Sequence, residues 1–293
     1  MESVLRPRLG IALGSGSARG WAHIGVLLAL AEEGITPDFI AGCSMGAMVG
    51  AACAAGRLAQ LEAWALSLDW RGVVGLLDLG LRGGLIKGDR LLNMFQGQFV
   101  ECQFSDLRVP FAAVATELAT GKELWLREGN VSGAVRASCT VPGLFPPVWR
   151  DGRYVVDGSV VNPIPVSLCR AMGAEVVIAV DLGSHMDRRF RLDPQPLRPT
   201  GSERRRLLSV LGSSKRSDIP PPPSIVDTLL GAIDVMQEKI AHARLVSEPP
   251  DVLLTPRLGL LGPFEYHRAA MAIGEGREAV GRMLPEIRAA VGV

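Results

Sequence analysis

The sequence predicts an α/β protein built on a mainly parallel sheet with helices on both of its faces. Short apolar runs alternate with amphipathic stretches, which is the pattern of parallel strands joined by crossover helices. One run, Val176 to Asp181, is so rich in β-branched residues that it suits a strand buried on both sides. The composition agrees: 48% of the 293 residues are hydrophobic and 21% charged, enough for a large core, and 34 are glycine, which permits close backbone approach.

Taken in order, Leu9 to Leu13 is a first strand, and it runs into the Gly/Ser cluster 14–20. A helix follows over 21–33, with Ile24, Leu27, Leu28 and Ala31 on one face and Gly34 as its stop. Pro37 and Asp38 lead into a second strand at Phe39 to Gly42. Phe39 to Gly56 is 18 residues without a charge, and Gly42, Gly46 and Gly50 have membrane-helix spacing. Glycine and alanine contribute little transfer energy, so the stretch is read as a buried strand, turn and helix. Further helices are expected over Ala59 to Leu68, Asp89 to Phe99 and Val131 to Ser138, with strands at Phe111 to Thr116 and Glu123 to Leu126. A strand at Val252 to Thr255 and a helical region over Phe264 to Val291 complete the chain.

Residues 1–293 read as a single domain interrupted by a flexible basic and proline-rich insertion at 184–224. That segment holds nine basic and four acidic residues and ends in Pro220 to Pro223. Its sharper reading is a mobile cover that touches anionic lipid headgroups. Ser224 then caps a helix whose apolar stripe is Ile225, Leu229, Ile233, Met236 and Ile240. With 31 basic against 30 acidic residues and only 5% aromatics, nucleic acid is not an expected partner. Five cysteines without a C-x-x-C pair read as core thiols of a reducing compartment, with neither a disulfide frame nor a zinc site. No secretory signal is recognised before Gly14, so the expected location is cytoplasmic, with peripheral contact to the inner membrane face.

Chemistry is expected at Gly42-Cys43-Ser44-Met45-Gly46. A G-x-S-x-G pattern alone is weak, but this one ends a strand and opens a helix, where a tight turn lifts a serine hydroxyl above the sheet edge. The flanking glycines remove side chains that would clash there, and the following helix turns its positive end toward Ser44. A right-handed crossover places the first two strands in one sheet, so loop 14–20 and the serine turn become neighbours. Backbone N–H groups of Gly14, Ser15, Gly16 and Ser17 then form a candidate oxyanion hole, each donor worth about 3–4 kcal/mol in a transition state. A glycine-tolerant strand-to-helix turn is the plain alternative. Dinucleotide binding fits poorly, because Arg19 stands where a third small residue is needed and no carboxylate ends the second strand.

None of the four histidines, His23, His185, His242 and His267, recommends itself as a base. Asp157, in Tyr154-Val155-Val156-Asp157-Gly158-Ser159, ends an apolar run at a turn and could accept the Ser44 proton directly. Spacing alone fits equally an ordinary turn carboxylate bonding its own backbone.

Gly14-Ser15-Gly16-Ser17-Ala18-Arg19-Gly20, Gly42-Cys43-Ser44-Met45-Gly46 and Asp157-Gly158-Ser159 resemble, in order and spacing, the signature blocks of the patatin-like phospholipases. The likeness is to small bacterial members of the neuropathy-target-esterase-like branch, and Arg136-Ala137-Ser138 running into Pro142 to Val148 is similar to a further family block. The resemblance implies a three-layer α/β/α acyl hydrolase with a Ser-Asp dyad and no metal or organic cofactor. By carry-over Ser44 is the nucleophile, Asp157 the general base, and the backbone around Gly16 the oxyanion hole. Arg19, Gly20, Gly42, Gly46, Gly158 and Ser159 are supporting motif positions. Ser15 and Ser17 stand where the family usually shows glycine, which is tolerable unless either needs a positive φ. Ser159 stands where Ala or Gly is usual.

The expected function is hydrolysis of a lipid or other ester through an acyl-enzyme, with peripheral contact to anionic membrane. Acyl transfer through the same Ser44 and a regulatory protein with little turnover are the alternatives.

Overall fold

The structure is a computed structural model that describes residues 6–70, 72, 96–183 and 225–293. The basic insertion, the Ser224 cap and the first part of the helix expected over Asp89 to Phe99 lie outside the described residues.

Among the described residues, eight strands form one sheet: β1 (Leu9–Leu13), β2 (Phe39–Cys43), β3 (Phe111–Glu117), β4 (Glu123–Leu126), β5 (Val148–Arg150), β6 (Arg153–Asp157), β7 (Val176–Val180) and β8 (Val252–Leu254). The path runs β5-β6-β3-β2-β1-β7-β8, with β4 also on β3. Pairs β1–β2, β1–β7, β2–β3 and β7–β8 are parallel, and β3–β4, β3–β6 and β5–β6 antiparallel. Among the described residues, eight α-helices accompany them: α1 (Ala22–Glu32), α2 (Met45–Ala54), α3 (Leu58–Ser67), α4 (Val131–Ser138), α5 (Val166–Met172), α6 (Ile225–Ser247), α7 (Ala269–Arg282) and α8 (Leu284–Val291).

The helices divide unequally between the two faces. Leu9, Ile11, Leu13, Ile40 and Ile178 face α1, α2, α3, α4, α7 and α8 in the larger core. The other face is lined by Ala12, Ala41, Ala112 and Ala179, against which α5 and Ala241 of α6 pack. Small strand residues let that thin layer approach closely. In the thick layer α1 and α7 cross at glycines: a Cβ on Gly25 would fall 1.9 Å from the Ile273 carbonyl oxygen, and one on Gly276 2.0 Å from that of Ala22.

The pairing of β3 decides where the site forms. Val114 pairs with Cys43 on one side and Trp125 on the other, while Ala115 pairs with Asp157 and Leu124. Since β4 pairs with residues 113–116 of β3, of which β2 also pairs 113–114 and β6 pairs 115–116, β2 and β6 share the opposite edge. One is parallel to β3 and the other antiparallel, so their C-terminal ends meet head to head.

The apolar stripe of α6 is largely uncovered: Leu229 and Met236 are 45% and 55% exposed, Ile233 and Ile240 are half-buried, and the side chain of Ile225 lies outside the described residues. Polar groups instead tie α6 down: Gln237 donates to Ser159 Oγ at 2.7 Å, and Arg244 donates to the Val161 carbonyl and pairs with Glu123. The C-terminal helical region divides at Met283, just before Pro285.

Candidate active site

Ser44 occupies the turn between β2 and α2 with φ 54° and ψ −122°, a backbone state that L-residues rarely adopt. Its surroundings hold it there. Ser44 N–H donates to Ser138 Oγ at 3.0 Å, and its carbonyl accepts from the amides of Ala47 and Met48 and the thiol of Cys139 at 3.2 Å. Gly46 is required by space: a Cβ there would lie 2.1 Å from the Leu13 carbonyl oxygen at the end of β1. The serine turn is thereby pressed against the start of the Gly/Ser loop.

Asp157 ends β6 and is fully buried. Its N–H donates to the Thr140 carbonyl at 2.8 Å and its own carbonyl accepts from Thr116 Oγ1 at 2.9 Å. Oδ1 accepts from the Ser159 amide at 2.8 Å, with the Cys43 thiol at 3.8 Å, whereas buried Oδ2 has no hydrogen-bond partner. Burial raises the carboxyl above its ordinary range, opposed by the Ser159 amide and the Ser159, Ser44 and Cys43 side chains. The Ser44 side chain is thus near enough to the Asp157 carboxyl to help hold its pKa down. Gly158 is tight for a similar reason to Gly46, since a Cβ would sit 2.3 Å from the Val114 carbonyl oxygen.

The Gly/Ser loop narrows the expected donor set. The amides of Gly14 and Ser15 donate to the carbonyls of Val180 and Pro163 at 3.1 and 2.9 Å and so are engaged in holding the loop. Among the described residues, the Gly16 and Ser17 amides have no such acceptor. A Cβ on Gly16 would meet Leu182 at 2.7 Å. Ser17 takes φ 49°, so the positive-φ condition does arise at one of the two serines, and its side chain engages the buried Tyr266 hydroxyl. Arg19 Nε donates to the Gly16 carbonyl at 3.3 Å. His23 lies under the loop, fully buried. Desolvation pushes its pKa down to about 4, so the neutral ring donates from Nε2 to the Gly14 carbonyl at 2.7 Å.

Ser44 is 7% exposed and opens on a cavity of about 40 Å³ bounded by Gly16, Ser17, Leu144, Ile233, Gln237 and Phe264. That is space for a few waters at most. A larger cavity of about 530 Å³ adjoins it, sharing Ser15, Gly16, Arg19, Asp234 and Gln237 and extending over Ile164, Leu182 and Leu245. Among the described residues, no group of three or more His, Cys, Asp or Glu could hold a metal. Nor, among them, is any helix long and apolar enough to cross a membrane. Sequence reasoning missed the roles of Ser138, Cys139, Thr140 and Gln237 around the site. Only Ser138 stood in a recognised block, and nothing local says which distant groups these residues meet.

The family model for patatin-like phospholipases matches residues 11–170. An uncharacterized NTE family protein of Mycobacterium tuberculosis is 41% identical over 177 residues, covering 60% of this chain and 49% of the relative. A second from the same organism is 33% identical over 279 residues, covering 92% of this chain and 45% of the relative. Patatin-like phospholipase domain-containing protein 6 of Mus musculus is 34% identical over 184 residues, 60% of this chain and 14% of that protein. The chain spans about half the length of the mycobacterial relatives it matches.

Proposed function

We propose, from the premise that this chain belongs to the patatin-like phospholipase family, that it is a lipid acyl hydrolase working through Ser44 and Asp157. The observation that carries the mechanism is the buried Oδ2 of Asp157, without a hydrogen-bond partner, on a carboxyl that the Ser44 side chain helps to hold down. A carboxylate in water is a weak base near neutral pH. Burial raises the proton affinity of this one and so suits it to take the hydroxyl proton.

In this reading Ser44 Oγ attacks the ester carbonyl as Asp157 Oδ2 accepts its proton. The oxygen of the tetrahedral intermediate receives hydrogen bonds from the Gly16 and Ser17 amides, whose direction is set by the engaged amides of Gly14 and Ser15. The amide of Ser44 is committed to Ser138 and takes no part. The alcohol leaves with the proton; water then attacks the acyl-enzyme as Asp157 takes its proton, the bond to Ser44 Oγ breaks, and that proton returns to Ser44 as the carboxylic acid is released. The bulk of the ester occupies the larger adjoining cavity. Contact with a lipid surface is made through the exposed Leu229, Val235 and Met236 of α6.

The test is a panel of phospholipids, lysophospholipids and short nitrophenyl esters, with fluorophosphonate labelling. Wild type is expected to hydrolyse at least one class and to label at Ser44. Ser44→Ala should abolish both, and Asp157→Asn should lower turnover by about 10²- to 10⁴-fold. Folded wild-type protein that hydrolyses nothing and fails to label would end this reading.

A further inference from the structure

Three consecutive residues after the core of α4 hold the backbones of both proposed reacting residues. Ser138 Oγ accepts from Ser44 N–H at 3.0 Å, Cys139 Sγ donates to the Ser44 carbonyl at 3.2 Å, and the Thr140 carbonyl accepts from Asp157 N–H at 2.8 Å. Ser44 lies 94 residues from Ser138, so this is no local turn. Serine and threonine at a helix end commonly bond back to a carbonyl of the preceding turn, as Thr140 Oγ1 does to the Arg136 carbonyl at 2.7 Å. Ser138 Oγ instead takes the amide of a residue whose φ of 54° needs external support. Ser138 and Thr140 are 0% and 2% exposed, and none of the three residues lines the cavity over Ser44.

We propose that Ser138 is a positioning residue, seconded by Cys139, in a bracket that sets the spacing between the Ser44 hydroxyl and Asp157 Oδ2. The proposal rests on the hydrolase reading for its effect on turnover, though the hydrogen bonding stands apart from it. Helix α4 is itself anchored, with Asn130 Oδ1 accepting from the Gly133 amide at 3.0 Å, so the bracket refers both residues to one rigid element. Removing the Ser138 hydroxyl leaves the Ser44 amide buried without an acceptor. The turn then relaxes by rotating that peptide, and the Ser44 side chain swings with it.

The experiment compares Ser138→Ala, Ser138→Thr, Cys139→Ala and Cys139→Ser on a short soluble nitrophenyl ester. Turnover is normalised to sites titrated with fluorophosphonate. Hydrogen exchange of the peptide spanning residues 43–47 and the melting midpoint are measured in parallel. Ser138→Ala is expected to lower kcat per titrated site about 10- to 100-fold with KM within about twofold, and to speed exchange of that peptide about tenfold or more. Ser138→Thr, which keeps the oxygen, should recover most of the rate, and Cys139→Ser should outperform Cys139→Ala. Wild-type kcat per site in Ser138→Ala overturns the proposal, as does unchanged exchange. If Ser138→Ala does not fold, the contrast between the two Cys139 variants decides. A wild type that neither turns over nor labels defeats the hydrolase reading, and the exchange data still judge the bracket.

Discussion

Gly46→Ala tests the close approach on which the whole site depends. An alanine Cβ at 46 would lie 2.1 Å from the Leu13 carbonyl oxygen, 2.5 Å from its carbon and 2.7 Å from the Gly14 carbonyl oxygen. Ordinary contact begins at 3.4 Å, so the nearest atom must retreat by about 1.3 Å, and it is backbone of a fully buried strand. Overpacking of this kind costs about 1–3 kcal/mol, and a displacement of about 1 Å at reacting groups costs about 10²-fold in rate. Because Gly46 and Gly14 flank Ser44 and the proposed oxyanion loop, rate should suffer more than stability. Gly50→Ala on the same helix is the control. Its Cβ meets only side-chain atoms, Ile40 Cγ2 at 3.0 Å and Leu13 Cδ1 and Phe111 Cε2 at 3.2 Å, which can give way. The helix-propensity gain of about 1 kcal/mol opposes that strain. Per-site turnover and urea unfolding are the measurements: Gly46→Ala should lose about a hundredfold in rate, and Gly50→Ala less than about threefold. Equal behaviour of the two variants would refute the argument.

Two further predictions concern pH. Asp157 is raised by burial, so its contribution to stability is full below the unfolded carboxylate pKa and is lost as pH rises through the folded value. Asp157→Asn should therefore melt higher than wild type at pH 7 while losing turnover, with the gain vanishing in acid; a lower midpoint at pH 7 would contradict this. His23 is depressed from 6.5 to about 4, so its contribution is full above pH 6.5 and is lost as pH falls through 4. At about 1.4 kcal/mol per pH unit the loss approaches about 3 kcal/mol, read as a falling urea midpoint between pH 7 and 4 that His23→Gln should flatten.

Much of the architecture could be read from the residues because its causes are local. The Val176 run, the Gly34 stop and the uncharged stretch at 39–56 each imply their element, and the crossover rule makes β1 and β2 neighbours, paired from Gly10 with Phe39 to Leu13 with Gly42. What failed to show was non-local. Helix α5 is seven residues between Pro165 and Gly173, too short for a periodic signal, and β5 is a three-residue partner of β6. Whether protein covers the stripe of α6 is not legible either, because apolar spacing marks a stripe without saying what packs on it. Which amides of Gly14 to Ser17 stay unengaged could not be counted from sequence, since the acceptors that engage two of them, Val180 and Pro163, come from far along the chain.

The two sequence readings of Asp157, turn carboxylate and base, are compatible because a carboxylate has two oxygens. Oδ1 accepts from the Ser159 amide two residues on, as an ordinary turn aspartate would. That bond fixes the plane of the carboxyl, and a fixed plane determines where Oδ2 must go. Burial raises the carboxyl above its ordinary range, and under the proposed mechanism Oδ2, which has no hydrogen-bond partner, is the oxygen that takes the hydroxyl proton. Head-to-head abutment of β2 and β6 along one edge of β3 sets Asp157 beside the strand end that precedes the serine turn, through the pairing of Cys43 with Val114 and of Asp157 with Ala115. Under the proposed mechanism the Asp157 turn stands in for a histidine: the geometry that an imidazole would supply comes from a strand end and one backbone amide.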